Sequence, residues 1–379
     1  MVSSEFTVKK LKRKIKSDGV KQSFISAGDL ITRKKLGRPV FDWLVRIGII
    51  KTIPRGNLES KSDETLHISY QSEPYFVSVI NCGVVLSETG LVLSDQSEII
   101  EESAAEPTQA MQAMMAMLSR ELFFGQFPLK ALVRKTAPEA AGSLGTAAPL
   151  IPRYPNYYHW MVETVPKIRY LRRFEESTGE SVTLVIPQDS PPFVGETLQA
   201  LDWPESRIER ATEPAYAVEN LVVPSFPQRR AADFEWIRRR ILGESATSPE
   251  ADANNVYISR AGAVERQVLN EDAVMEMLSD HGFERYRLED RPLMRNARLF
   301  SEADIVVAPH GAGITDIVFS TDCTVIELFG DKVKQPYEIL ASVLDLDYRA
   351  VYCEAESADI RVDVDELEKV VAAVEREDQ

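Results

Sequence analysis

Asp304-Ile305-Val306-Val307-Ala308-Pro309-His310-Gly311-Ala312-Gly313 decides the architecture of the second half of the chain. The unbroken apolar run reads as a strand buried on both faces, the pattern of a parallel sheet covered by helices. Pro309 cannot donate to a ladder, and the glycines behind it suit a tight turn into a helix starting near Ala312. The same rhythm continues on either side. Asn255-Val256-Tyr257-Ile258-Ser259 reads as a strand. Residues 270 to 280 form a helix with Asn270 as its cap and Glu271 and Asp272 as first-turn acids. Residues 292 to 302 form another helix. Thr324–Leu328 and Tyr348–Tyr352 are further strands, with helices near 312 to 320 and 336 to 344. Strands alternating with helices imply a doubly wound α/β domain over 255–350. A C-terminal strand and acidic helix follow in 351–379.

The first half is less regular. Thr183–Ile186 and Asn220–Val223 read as strands, each closed by a proline. Residues 75–80, 84–86 and 91–93 are strand-rich, with a Thr89-Gly90 turn. Residues 108 to 122 read as a helix whose methionines fill a core. Residues 136 to 150, rich in Ala, Gly and Pro, read as a loop, and 243 to 254 as a polar linker. The division expected is a leader over 1–60, an N-terminal, acceptor-side domain over 61–242, and the α/β domain beyond the linker.

A chain of 379 residues is too long for one core. No apolar run reaches the roughly 18 to 20 residues of a membrane span, and the N-terminus lacks a signal-peptide core. A cytoplasmic location is therefore expected. Three scattered cysteines form neither a disulfide framework nor a metal spacing. Residues 1–55 hold nine lysines and five arginines against four acids, a net of +10. The rest must then carry −25 to give the total of −15, which argues against nucleic acid as partner. Two readings of the leader stand side by side. Its basic cluster and the amphipathic stretch Phe41–Lys51 suit an anionic membrane surface, here the inner face of the cell membrane. They also suit a solvated tail and a helix packed on the body, the plainer reading.

The turn His310-Gly311-Ala312-Gly313 sits where open α/β sheets bind ligands, outside the carboxyl ends of the strands. Its glycines admit close backbone approach, and a helix start favours phosphate. A tight turn with His310 as a polar plug is the plain alternative. Arg260 follows a strand end and Arg266 lies six residues on; guanidinium groups grip phosphate oxygens in pairs. Glu327, inside the next strand, suits either ribose hydroxyls or a structural anchor. In Asn156-Tyr157-Tyr158-His159-Trp160-Met161-Val162-Glu163, a cap at Asn156 puts His159 and Glu163 one helical turn apart. With no third ligand in view, acid–base work suits the pair better than metal. Either Glu163 takes the proton and His159 orients the acceptor or the roles reverse, with a slight lean to Glu163 as already ionised at neutral pH; an aromatic-rich core helix with a satisfied histidine is the plain alternative. Pro166 should kink the helix.

Taken together, Asn156–Trp160 with Glu163 and Pro166, Ser259-Arg260, Arg266, Asn270-Glu271, Gly282-Phe283, Pro309–Gly313, Phe319 and Val325–Leu328 resemble glycosyltransferase family 61 in order and spacing. The resemblance covers roughly 75 to 345. It implies a GT-B fold of two Rossmann-like domains facing a cleft. It also implies inversion at the anomeric carbon, no obligatory metal or cofactor, and a UDP-sugar donor. The acceptor expected is a glycan or lipid-linked glycan. Asn296 stands where the family usually has Gln, and Asp316 where it usually has Asn. The rival readings are a non-catalytic nucleotide-binding scaffold and a transferase of non-sugar groups to polysaccharide.

Overall fold

The computed structural model describes residues 52–53, 64–70, 73–87, 89–95, 98–103, 140–152, 154–243, 255–331 and 333–377. Most of the basic leader, the methionine-rich stretch and the linker after 243 lie outside the described residues. The chain forms two compact units, and its path crosses between them more than once. The first takes Met1–Arg153, Tyr170–Gln188 and Arg207–Phe226; the second takes Tyr154–Arg169, Asp189–Ser206 and Pro227–Gln379.

The first unit holds a nine-stranded mixed sheet of β1 (Thr52–Ile53), β2 (Glu64–Tyr70), β3 (Glu73–Leu86), β4 (Val92–Leu93), β5 (Ile99–Ile100), β6 (Gly142–Pro149), β7 (Thr183–Pro187), β8 (Ile208–Ala211) and β9 (Ala215–Pro224). The run β9-β6-β7-β8 is parallel in Rossmann-like fashion, and the short β1 and β5 also pair parallel, whereas β3 pairs antiparallel with β9, β4 and β2. Within the loop expected over 136–150, residues 142–149 form strand β6. Its small residues serve close packing: a Cβ on Gly142 would come within 2.5 Å of the Tyr216 ring, and Ala147 and Ala148 are fully buried. The separate strands expected at 75–80 and 84–86 are one strand, continuous through a left-handed Cys82.

The second unit contains the doubly wound domain. Strands β10 (Asn255–Ile258), β11 (Phe283–Tyr286), β12 (Ile305–Pro309), β13 (Thr324–Phe329) and β14 (Asp347–Tyr352) are all parallel, in the order β11-β10-β12-β13-β14. The order reverses between β10 and β12, so the loops leaving those two strands flank the topological switch point, where such sheets bind ligands. Helices α1 (Tyr157–Glu163), α2 (Pro166–Thr178, shared between the units), α3 (Pro192–Ala200), α4 (Ala231–Leu242), α5 (Glu271–Asp280), α6 (Leu293–Glu302), α7 (Pro336–Leu344) and α8 (Val364–Glu377) follow in chain order. Helix α8 buries Leu367, Val371 and Val374, spaced for one face, against Tyr257, Val307 and Ile326 of the sheet. A hairpin of β15 (Glu354–Glu356) and β16 (Asp359–Arg361) completes the unit.

A linear boundary at 242 does not describe this packing, because polar contacts tie the earlier segments to the second unit. The Trp160 indole N–H donates to Thr197 Oγ1 at 3.2 Å, and the Leu293 N–H donates to Glu196 at 2.8 Å. Arg238 donates to the Ser320 carbonyl at 2.9 Å, and buried Arg169 and Asp233 pair at 2.6 Å. Two local readings also change. Ala312–Phe319 is a 3₁₀ helix, tighter than the α-helix expected and nearly all buried. Asn270 does not cap α5 with its side chain; its amide instead exchanges bonds of 2.9 and 3.0 Å with the Val362 backbone.

Candidate active site

Arg260 and Arg266 lie on the loop leaving β10, and His310 begins the loop leaving β12. The Arg260 side chain runs against the opposite loop so closely that a Cβ on Gly311 would collide with its guanidinium. One Arg260 Nη donates to the Glu265 carbonyl at 3.1 Å, while its Nε is buried without a partner. Burial, and then the nearby Arg266 charge, hold the Arg260 guanidinium below its usual pKa. Among the described residues neither arginine forms an ion pair with a carboxylate. Two clustered cations beside a glycine turn favour an anionic ligand. Arg266 holds a left-handed φ of 65°, and its N–H donates to Ala358 O at 2.7 Å; the adjacent Gln267 N–H donates to Asp359 Oδ1 at 3.1 Å. The turn of the β15–β16 hairpin thereby fixes the loop that carries Arg266.

His310 and Glu327 meet, but not as expected. His310 Nδ1 is hydrogen-bonded to one Glu327 oxygen, and the Tyr348 hydroxyl donates to the other at 2.6 Å. Glu327 is fully buried with both oxygens engaged. It therefore offers no face to a ribose, and the ribose role read from the sequence gives way to positioning of His310. The imidazole is stacked on Phe329 with ring centres 5.3 Å apart and meets the Tyr337 ring at 5.5 Å. With Nδ1 committed, Nε2 is the ring atom left for a ligand. Ala312 and Gly313 open the 3₁₀ segment; a Cβ on Gly313 would press on Leu288 at 3.2 Å and Ile258 at 3.3 Å.

Helix α1 begins as its sequence indicates. Asn156 Oδ1 accepts from the His159 N–H at 3.1 Å, and the helix breaks before Pro166. His159 Nδ1 and Glu163 Oε2 are 2.6 Å apart, and Arg229 approaches the other Glu163 oxygen at 3.7 Å. The pair was expected on a domain opposite the His310 turn. It lies instead in the same compact unit, joined to it by aromatic rings. Tyr158 meets His159 edge-on at 5.4 Å and Tyr337 at 5.5 Å, and Tyr337 in turn meets His310. The Tyr157 hydroxyl donates to Asp316 Oδ1 at 2.5 Å, fastening α1 to the 3₁₀ segment. Burial pushes Asp316 up to about 7, against the pull of that hydrogen bond.

Tyr337, Tyr348 and Arg229 were not legible as site residues. Tyr337 carries a weak signal, an aromatic beside Pro336 at a helix start facing the carboxyl edge of the sheet. Arg229 has none: it reaches Glu163 from a left-handed residue with φ 54°. Among the described residues no three His, Cys, Asp or Glu side chains converge as metal ligands, and no helix is long and apolar enough to cross a membrane.

Residues 157–326 match the family model described as Glycosyltransferase 61. No curated protein matches the chain at a significant level.

Proposed function

We propose that this chain, which carries a glycosyltransferase 61 domain and so acts as a glycosyltransferase, moves a sugar from a UDP-sugar to a hydroxyl of a glycan or lipid-linked glycan, with inversion and without a metal. The observation that carries the donor reading is Arg260 packed on the Gly311 turn, with the Arg266 charge beside it, at the switch point of a parallel sheet. Arg260, Arg266 and His310 Nε2, with the free N–H groups at Ala312 and Gly313, would hold the diphosphate where another enzyme would use a divalent cation. The GT-B arrangement is part of this reading, supported by two units that each own a sheet.

The acceptor side follows from the His159–Glu163 pair. Glu163 is engaged by His159 on one oxygen and neighbours Arg229 on the other. This favours His159 as base and Glu163 as its orienter, the reverse of the assignment that sequence alone suggests. In the reaction, His159 Nε2 takes the acceptor O–H proton while the acceptor oxygen bonds to the anomeric carbon. The bond from that carbon to the diphosphate breaks on the far face, and its electron pair stays on the phosphate. A scaffold that only bound nucleotide would not need this second pair, which favours catalysis.

Arg260→Ala should weaken UDP binding by about 1.5 to 3 kcal/mol, the worth of a charge-assisted contact. Calorimetry checks it, and unchanged affinity in a folded variant would remove Arg260 from the donor site. Turnover should also survive excess chelator; a reversible requirement for manganese or magnesium would overturn the metal-free reading. The basic leader is assigned to an anionic membrane surface on its charge of +10. Sedimentation with anionic vesicles should therefore pull down the full chain and leave residues 37–379 in solution; equal pull-down of both would remove that role.

A further inference from the structure

Arg229 is held beside the His159–Glu163 pair in a backbone conformation that its own Cβ disfavours. Its φ of 54° lies in the left-handed region. The contact this secures with Glu163 is loose, at 3.7 Å, beyond hydrogen-bond length. Its Nε is buried without a hydrogen-bond partner, while 36% of the side chain is exposed. A guanidinium that served only to hold Glu163 would close on it with two parallel bonds. This one keeps its donors unspent.

The neighbouring hydroxyl is in the same condition. Tyr158 is 8% exposed, and its Oη is buried without a partner. Burial raises that hydroxyl above the usual tyrosine pKa, and the Arg229 charge pulls it back. The ring meets His159 edge-on, with centres 5.4 Å apart. A buried donor without an acceptor destabilises the fold, so each such group calls for an explanation. Here two of them, one cationic and one neutral, adjoin the pair assigned to the acceptor. A carboxylate suits both, with one negative charge and two oxygens that accept several bonds. A dianionic phosphate suits them less, because Glu163 already shares the Arg229 charge. On the other side of His159 the Tyr154 ring lies 5.0 Å away and is 38% exposed, an aromatic face on which the apolar side of a sugar ring can pack.

We infer that Arg229 and Tyr158 form an anion subsite on the acceptor side, and that the acceptor sugar is a uronic acid whose carboxylate pairs with the guanidinium and accepts from the Tyr158 hydroxyl. Its attacking hydroxyl then lies at His159. The assignment rests on the acceptor reading of the His159–Glu163 pair given above. Binding turns the Arg229 side chain, the more exposed of the two, onto the ligand and opens the way to Tyr158 Oη.

Ligand-observed NMR on the full chain tests this with methyl glucuronide and methyl glucoside at equal ionic strength, since the first carries a carboxylate and the second does not. Wild type should bind the glucuronide about tenfold tighter, the size of a charge-assisted contact. Arg229→Asn, which tolerates a left-handed backbone, should abolish the preference. Tyr158→Phe keeps the ring packing and should reduce it about fivefold, the worth of a single hydrogen bond. Arg260→Ala should leave the preference as it is. Equal or absent binding of the two probes in wild type, or a preference that survives Arg229→Asn, overturns the inference. So does a preference lost in Arg260→Ala, which would put the anion in the donor loop. Displacement of the glucuronide by an equal concentration of inorganic phosphate would overturn the choice of a uronic acid. The acceptor reading is tested apart, by the turnover of His159→Ala. No glucuronide preference with His159→Ala inactive sinks this inference alone; a preference with His159→Ala near normal sinks the acceptor reading, and the subsite loses its role with it.

Discussion

His159→Ala is expected to lower turnover by roughly 10² to 10⁴, the usual worth of a positioned general base, while UDP affinity changes little. The reason is geometric: His159 presents Nε2 with its other nitrogen held 2.6 Å from Glu163, so the ring has one orientation and one free basic atom. Glu163→Gln should cost less, because it can keep a bond to the ring and loses only the charge that favours the imidazolium formed in the transition state. The order of the two variants is the test. A larger loss in Glu163→Gln than in His159→Ala returns the role of base to the carboxylate. Near-normal turnover in both reduces α1 to an aromatic packing helix and places the base elsewhere.

The second large effect concerns stability. Asp316 is buried against Tyr157, and burial raises its pKa from 3.8 to about 7. The folded state therefore keeps a proton that the unfolded chain gives up near pH 4. Its contribution to stability is full below the unfolded pKa and falls as pH rises through about 7. Three pKa units correspond to roughly 4 kcal/mol at most. Asp316→Asn keeps an oxygen for the Tyr157 hydroxyl and cannot ionise. Its stability relative to wild type should rise from pH 5 to pH 8 by up to about 2.7 kcal/mol, since about two of those units fall inside that window, read from urea unfolding at both values. The difference between variant and wild type isolates this group from the other carboxylates. An identical difference at both pH values would mean that Asp316 is ionised throughout.

Local chemistry made part of this legible from residue types alone. The run Ile305–Ala308 with its glycine turn is a buried strand and a ligand loop by itself, and Asn156 caps α1 through a bond spanning three residues. Features that rest on distant partners were not legible. Strand β11, Phe283-Glu284-Arg285-Tyr286, is an edge strand with charged residues facing out, which breaks any apolar pattern. Strand β6 looks like a loop until Tyr216 demands a glycine opposite it. Glu327 could be placed on its strand, but its two partners come from another loop and another strand, so its role could not be read. The helix carrying His159 was assigned to the wrong neighbourhood because its anchor, Asp316, lies 159 residues further along the chain.

The β15–β16 hairpin has a consequence for how the protein is made. Arg266 keeps its left-handed backbone beside a bond to Ala358, and Asn270 is fastened to Val362. Residues 354–362 are synthesised after the loops that carry Arg266 and His310. Until they are made, the Arg266 loop lacks these contacts. A truncated product that ends before the hairpin would lack the contacts that hold the Arg266 loop.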